Sequence, residues 1–405
     1  MKRIAILFCV LLLTIVPVSA QEVVVDPGIT PDSFLYRLDV ALDEISLLMT
    51  FDKGAKAKKS LEIAEERLSE IKAMADENKL EAMEKGQKEH SKALEKTVSA
   101  IKDLDKDDPT EEIEDEIEIE KKLEEHQAKI EMVKGELKIK IKVKGGITEE
   151  QEQMIDSILS SLEDQTGKVK IEIDNKKGRT KTKIKIKTGK TEVEIESEVE
   201  EIEKKKGLTD FRKKRAEDQL EDAREEIEEI KEKILEADAI DKAALEQLLS
   251  EAESKLEKSE SLYAEGKYGA TYGQAKASES LAKNAKKLLK KEKETSDDEE
   301  EETEVKVELK GDQATVKVEI DDEDLKFTMD TTNKAEIVSE IVTRTGLTTE
   351  EVENVIKFKD KEDRSRAQSF EIGNESEKKV KKALLEVEKE KESEEIERPE
   401  ETEEE

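Results

Sequence analysis

Between Leu38 and Leu104 the apolar residues recur at spacings of three and four, and no other feature narrows the fold of this chain as much. Leu38, Leu42, Ile45 and Met49 form one stripe. Ala57, Leu61, Ala64, Leu68, Ile71 and Ala75 form a second, and Met83, Gln87, His90, Leu94, Thr97, Ile101 and Leu104 a third. Spacings of three and four match the 3.6-residue turn, so each run predicts an amphipathic helix with one face to hide. Pro31 fixes the chain before the first helix, and Asp32 or Ser33 can accept hydrogen bonds from its first turn. With short connections, three such helices are expected to fold back and bury their stripes against one another over residues 30–104.

Periodicity matters here because composition alone would permit disorder. Of 405 residues, 44% are charged and 3% aromatic, with a formal net charge of −34. The 34% that are hydrophobic fall in register, which argues for several thin cores. The acidic excess argues against nucleic acid and anionic membranes as main partners. Residues 1–20 read as a signal peptide: Lys2 and Arg3, an apolar run from Ile4 to Val18, then Val18-Ser19-Ala20 before Gln21. Cleavage is expected after Ala20, which makes this an exported protein, extracellular or at the cell surface. The run is shorter than the ~20 residues a spanning helix needs, and no later segment is apolar enough to cross a membrane. Cys9, the only cysteine, would leave with the signal peptide, so no disulfide or thiolate site is expected in the mature chain.

The first helical segment also carries a family resemblance. Pro31, Asp32, Ser33, Leu35, Tyr36, Thr50, Phe51, Asp52, Ala64, Glu65, Arg67 and Leu68 resemble the pattern of the domain of unknown function 5667, over roughly residues 30–104. Met49 stands where the family more often has Leu. The resemblance implies a helical fold and export, and no activity.

An acidic hinge and helix follow over residues 105–134. Asp103, Asp105, Asp107, Glu111 and Glu114 match the ligand spacing of a helix-loop-helix calcium site. Asp108 occupies the position that needs Gly, and Thr110 the one that needs an apolar residue. The competing reading makes Asp108 the cap of a new helix, with Pro109 first and Glu111 completing a capping box. That helix is expected to present Ile119, Leu123, His126, Ile130 and Val133 on one face. His90 and His126 therefore both sit on seams. They read as structural histidines or a pH sensor, because neither has a second His or Cys at ligand spacing.

Over residues 136–200 the period changes to two. Leu137, Ile139, Ile141 and Val143 alternate with lysines and predict a half-buried strand ended by Gly145-Gly146. Thr148 with Gln151 predicts a capped helix, and strands are expected at 169–174, 180–187 and 191–198, the last two joined by a turn at Thr188-Gly189. The sum is a small α+β module. Residues 148–198 also resemble exported PepSY modules, which implies control of a peptidase. Helical spacing returns over 208–291 as a three-helix hairpin domain, with Gly266 in its last turn. An acidic linker, 292–303, leads to a second small module over 304–358. Its three-strand meander turns at Gly311-Asp312, and its helices are capped by Asn333 and by Thr348 with Glu351. Residues 373–405 read as a largely disordered acidic tail.

The expected fold is therefore α+β and predominantly helical, with two antiparallel helical domains alternating with two small antiparallel-sheet modules. No catalytic residues are assigned. Two histidines on seams leave no Ser-His-Asp set, no cysteine survives export, and neither a phosphate-cradling Gly loop nor His-Glu-x-x-His is present. The expectation is a non-catalytic scaffold or protein-interaction protein whose partner is an envelope or extracellular protein. Peptidase regulation through the PepSY-like segment and weak calcium binding at the hinge are the alternatives. No cofactor beyond that calcium is implied.

Overall fold

The computed structural model describes residues 27–144, 148–236, 242–293, 303–320 and 323–360. The expected export segment, most of the acidic linker, the acidic tail and Gly145-Gly146 lie outside the described residues. The elements run α1 (Tyr36–Leu48), α2 (Lys53–Asp76), α3 (Leu80–Lys102), α4 (Pro109–Lys144), α5 (Glu149–Thr188), α6 (Glu192–Lys205), α7 (Leu208–Glu236), α8 (Lys242–Ala264) and α9 (Tyr268–Lys293). Strands β1 (Thr303–Lys310), β2 (Gln313–Ile320) and β3 (Glu323–Met329), helices α10 (Lys334–Thr345) and α11 (Thr349–Val355), and β4 (Ile356–Asp360) complete the fold. It is predominantly helical α+β, as the periodicity predicts.

Helix α4 is the centre, because its side chains enter four separate cores. Ile119 and Leu123 pack with Leu61, Leu94, Ile101 and Val169. Ile130, Val133 and Leu137 meet Leu68, Ile71, Met83 and Leu159. Ile139 enters the core of the sheet with Val305, Val316 and Phe327, and Ile113 and Ile117 pack with Ile184, Ile195 and Val199.

This arrangement corrects the strand expected at Leu137–Val143, which is the last part of α4. Residues two apart on a helix point in nearly opposite directions, while residues four apart share a face. Leu137 and Ile141 face the helical core, whereas Ile139 and Val143 face the sheet. A helix held between two layers therefore produces the same alternation as a strand with one buried face.

The strands expected at 169–174, 180–187 and 191–198 are also helical, within α5 and α6. Val169 with Ile173, and Ile195 with Val199, are buried at spacing four, while Ile171, Ile186 and Val193 are 63%, 78% and 79% exposed. Thr188-Gly189 is a helix end. Gly189 takes the left-handed conformation, φ 72°, and Thr191 with Glu194 forms a capping box that starts α6. Lys and Glu, which fill the alternate positions, favour helix over strand. The module over 136–200 therefore has no sheet among the described residues.

Helices α7, α8 and α9 lie where the returning period puts them, with Ile227, Ile230, Leu245, Ala282 and Ala285 in their core. The C-terminal meander has the expected turn, with Gly311 at φ 61°, and pairs Val305 with Val318 and Val307 with Val316. The sheet is mixed, in the order β3-β2-β1-β4, because β4 returns beside β1 in parallel and pairs Val307 with Phe358. Its apolar face packs on α4, α10 and α11, while lysines of its other face meet carboxylates of α7: Lys326 with Asp222 at 2.8 Å, and Lys317 with Glu226 at 3.6 Å.

Helix α4 comes so close to β3 that a Cβ on Gly135 would lie 2.7 Å from the carbonyl oxygen of Asp324. Backbone cannot swing aside as a side chain can. Gly135→Ala is expected to destabilise the fold by about 1–3 kcal/mol in urea unfolding, although Ala is the better helix former.

Candidate functional site

The N-terminal helix is placed by charge. Arg67, on α2 and 1% exposed, donates to Asp39 at 2.9 Å and also to Asp43 and Glu70, and its guanidinium lies over the Tyr36 ring at 5.4 Å. Asp39, Asp43 and Tyr36 are all on α1, so one arginine fastens that helix. Burial pushes the Glu70 carboxyl up to about 8 against the opposing pull of Arg67, and raises the Tyr36 hydroxyl. Asp52 then accepts from Ala55 N at 2.7 Å and starts α2.

The consequence overturns the expected burial of the first stripe. With Tyr36, Asp39, Asp43 and Leu47 turned inward, Leu38, Leu42, Ile45 and Met49 are 58%, 57%, 52% and 72% exposed. The second stripe is buried as expected, and so is the third apart from the half-buried Gln87. Phe34 and Phe51, at the two ends of α1, are 90% and 87% exposed, and Leu48 extends the same surface. This convex apolar face is the largest cluster of exposed large hydrophobic side chains among the described residues.

His90 of α3 and His126 of α4 meet in the interior. Their Nε2 atoms are 2.9 Å apart, the rings stack with centroids at 5.1 Å, and both residues are buried. One ring must donate and the other accept, so the contact requires at least one neutral imidazole. Burial, then the neighbouring His126, lowers the His90 pKa well below its ordinary value; burial, then Lys129, lowers that of His126 to about 3. Their seam positions were legible, but nothing in the sequence showed that the seams cross there.

The acidic hinge is not drawn together. Asp103 pairs with Lys53 at 3.0 Å, Asp105 with Lys183, and Glu114 with Lys206 at 3.1 Å. The carbonyl of Asp107 accepts from Lys187, and Glu111 is exposed. Asp108 caps α4 by accepting from Thr110 N at 2.8 Å, and Glu112, rather than Glu111, reaches back to Lys106 N at 3.2 Å.

Carboxylates do converge elsewhere among the described residues, as Asp39, Glu66 and Glu70 and as Glu226, Glu229 and Glu319. Each group lies around a cation of the chain itself. Arg67 serves the first; in the second, Lys286 contacts Glu319 and lies 3.0 Å from Glu229 and 3.7 Å from Glu226. Sequence reading missed both, because each brings together carboxylates of two different elements, α1 with α2 and α7 with β2.

The arginine knot, the outward α1 face and the histidine contact all fall within α1–α4. Residues 28–140 match the family model described as Domain of unknown function (DUF5667). The DUF5667 match runs past the expected end near residue 104 and takes in most of α4. The extension has a physical reason, since Ile119, Leu123, Ile130 and Val133 of α4 complete the cores that bury the stripes of α2 and α3, and His90 meets His126. The family match ends at residue 140, before the PepSY-like segment, and neither the curated proteins nor the solved structures provide a match. Among the described residues no helix is long and apolar enough to cross a membrane.

Two outcomes follow. Arg67→Met leaves Glu70 buried without its cation and releases Asp39 and Asp43; a loss of about 3–5 kcal/mol in urea unfolding is expected, with proteolytic cleavage appearing first near α1. For the histidines, the folded pKa lies below the unfolded value of about 6.5. Their contribution is therefore present above pH 6.5 and is lost as pH falls, by up to about 1.4 kcal/mol per unit for each ring. The double variant His90→Leu/His126→Leu should lose up to about 4 kcal/mol less than the parent between pH 7 and pH 5, measured by urea titration at both.

Proposed function

We propose that this is an exported, non-catalytic scaffold that works through protein interaction at the cell envelope, with the outward face of α1 as its docking surface. The observation that carries this reading is the exposure of Leu38, Leu42, Ile45, Leu48 and Met49 on a helix anchored through its opposite, charged side. A convex apolar helix suits a protein groove or another helix better than a small molecule, which needs a concave site. The export-type N-terminus supports an envelope location.

Neither alternative gains a supporting observation. The segment that suggested PepSY is helical, so it offers no sheet through which to regulate a peptidase. At the hinge, three of the five candidate ligands are engaged by lysines through their carboxylates.

A photo-cross-linking residue at position 42, compared with one at the exposed Lys85 of α3, tests the docking surface in producing cells. A discrete cross-linked protein product at position 42 and none at 85 is expected. Equal patterns at the two positions, or no product at 42, would contradict the reading.

A further inference from the structure

Resting on that reading, we propose that the occupant of the α1 face is a second copy of this chain, packed α1 against α1 in antiparallel orientation about a two-fold axis near Ala41. Two observations select it. The first is area. Eight large apolar side chains, from Phe34 to Phe51, are 40% to 90% exposed. At ~200 Å² per side chain, the stripe of Leu35, Leu38, Leu42, Ile45 and Met49 exposes roughly 550 Å², and Phe34, Leu48 and Phe51 beside it bring the total to the order of 1,000 Å², against about 800 Å² per partner in a stable interface. No charged residue interrupts the stripe formed by Leu35, Leu38, Leu42, Ile45 and Met49. A heterologous partner would need its own apolar groove, whereas a two-fold contact is complete with this surface alone.

The second observation is charge. Arg37 and Glu44 lie seven residues apart, two turns, on the same edge of the apolar face, and both are exposed. In an antiparallel pair of identical helices, an edge faces its own copy. An axis between Val40 and Ala41 lies midway between Arg37 and Glu44, so each Arg37 meets the Glu44 of the other copy, twice per dimer. Ala41, exposed at the crossing, allows close approach. Glu44 already pairs with Lys96 at 3.2 Å, but both side chains are substantially exposed, so sharing that carboxylate costs little. Repulsion between two chains of net charge −34 acts mainly beyond the contact and is screened within about 8 Å at physiological salt.

The chain's own remaining segments fit less well. Residues 1–20 leave if export cleavage follows the expected pattern. Residues 361–405 are rich in glutamate, and their longest apolar run at helical spacing, Val380, Ala383, Leu384 and Val387, is too small to cover eight exposed side chains.

Sedimentation equilibrium of the chain from Gln21 onward tests this across a hundredfold concentration range. A reversible dimer is expected, abolished by Leu42→Asp and weakened about tenfold or more by Arg37→Glu or Glu44→Arg alone. An equimolar mixture of those two variants should recover dimerisation, as should the double swap Arg37→Glu/Glu44→Arg. Urea unfolding of each variant checks that the fold persists. A monomer at all concentrations overturns the proposal. So does a dimer indifferent to Leu42→Asp, or one that the single swaps weaken and the mixture does not restore. A monomer that still gives a cross-linked foreign protein at position 42 overturns self-association alone. A monomer with no such product removes the docking surface as well.

Discussion

A helix with neighbours on every side cannot keep a charged face in water, and in a chain that is 44% charged this constraint governs the rest of the structure. Helix α4 buries Glu112, Glu116, Glu120 and Glu124, one per turn, and each is met by a specific partner. Lys176 contacts Glu112, the Thr180 hydroxyl donates to Glu116 at 2.6 Å, Lys177 lies 2.7 Å from Glu120, and Arg212 lies 2.7 Å from Glu124. A buried carboxylate is tolerated only with such partners. The ladder therefore sets the registers of α5 and α7 against α4, a specificity that thin apolar seams of Ile and Ala would not supply alone. Glu116, met by a hydroxyl instead of a cation, is the member whose burial raises its pKa, to about 7.

The same rule explains the inverted placement of α1. Arg67 is buried among Asp39, Asp43, Glu70 and the Tyr36 ring, so the charged side of α1 must turn inward. Helix geometry then carries Leu38, Leu42 and Ile45 outward. In an isolated monomer that exposure forgoes the burial of several large side chains, each worth roughly 1.5–3 kcal/mol. Such an arrangement is consistent with a surface meant to be covered. Helices α2 to α4 hold their cores regardless, through Leu61, Leu94, Ile101 and Leu123.

What could be read from the sequence divides along physical lines. Local signals were legible: the capping boxes at Thr148 and Thr348, the cap at Asn333, and the turn at Gly311 all depend on residues within one turn of each other. So were the helical runs and the three-strand meander. Signals that depend on what lies opposite were not. Leu137 to Val143 alternate because α4 has a core on each side, a pattern that a strand shares. Ile171 and Val193 looked like buried strand residues and are exposed on helices. The hinge acids had ligand spacing, but lysines from α2, α5 and the end of α6 reach them singly. Arg67 was visible only as a residue of the family pattern; its role depends on α1 folding back over α2.

Helix α1 turns charge inward and apolar surface outward. The most direct measurement is maleimide labelling of Leu42→Cys and, separately, Leu47→Cys, in a chain that from Gln21 onward has no other cysteine, at a concentration low enough to keep copies apart. The cysteine at 42 is expected to react as fast as one in an unfolded peptide, while the one at 47 is strongly protected. Protection at 42 with free reaction at 47, or equal rates at both, would contradict it.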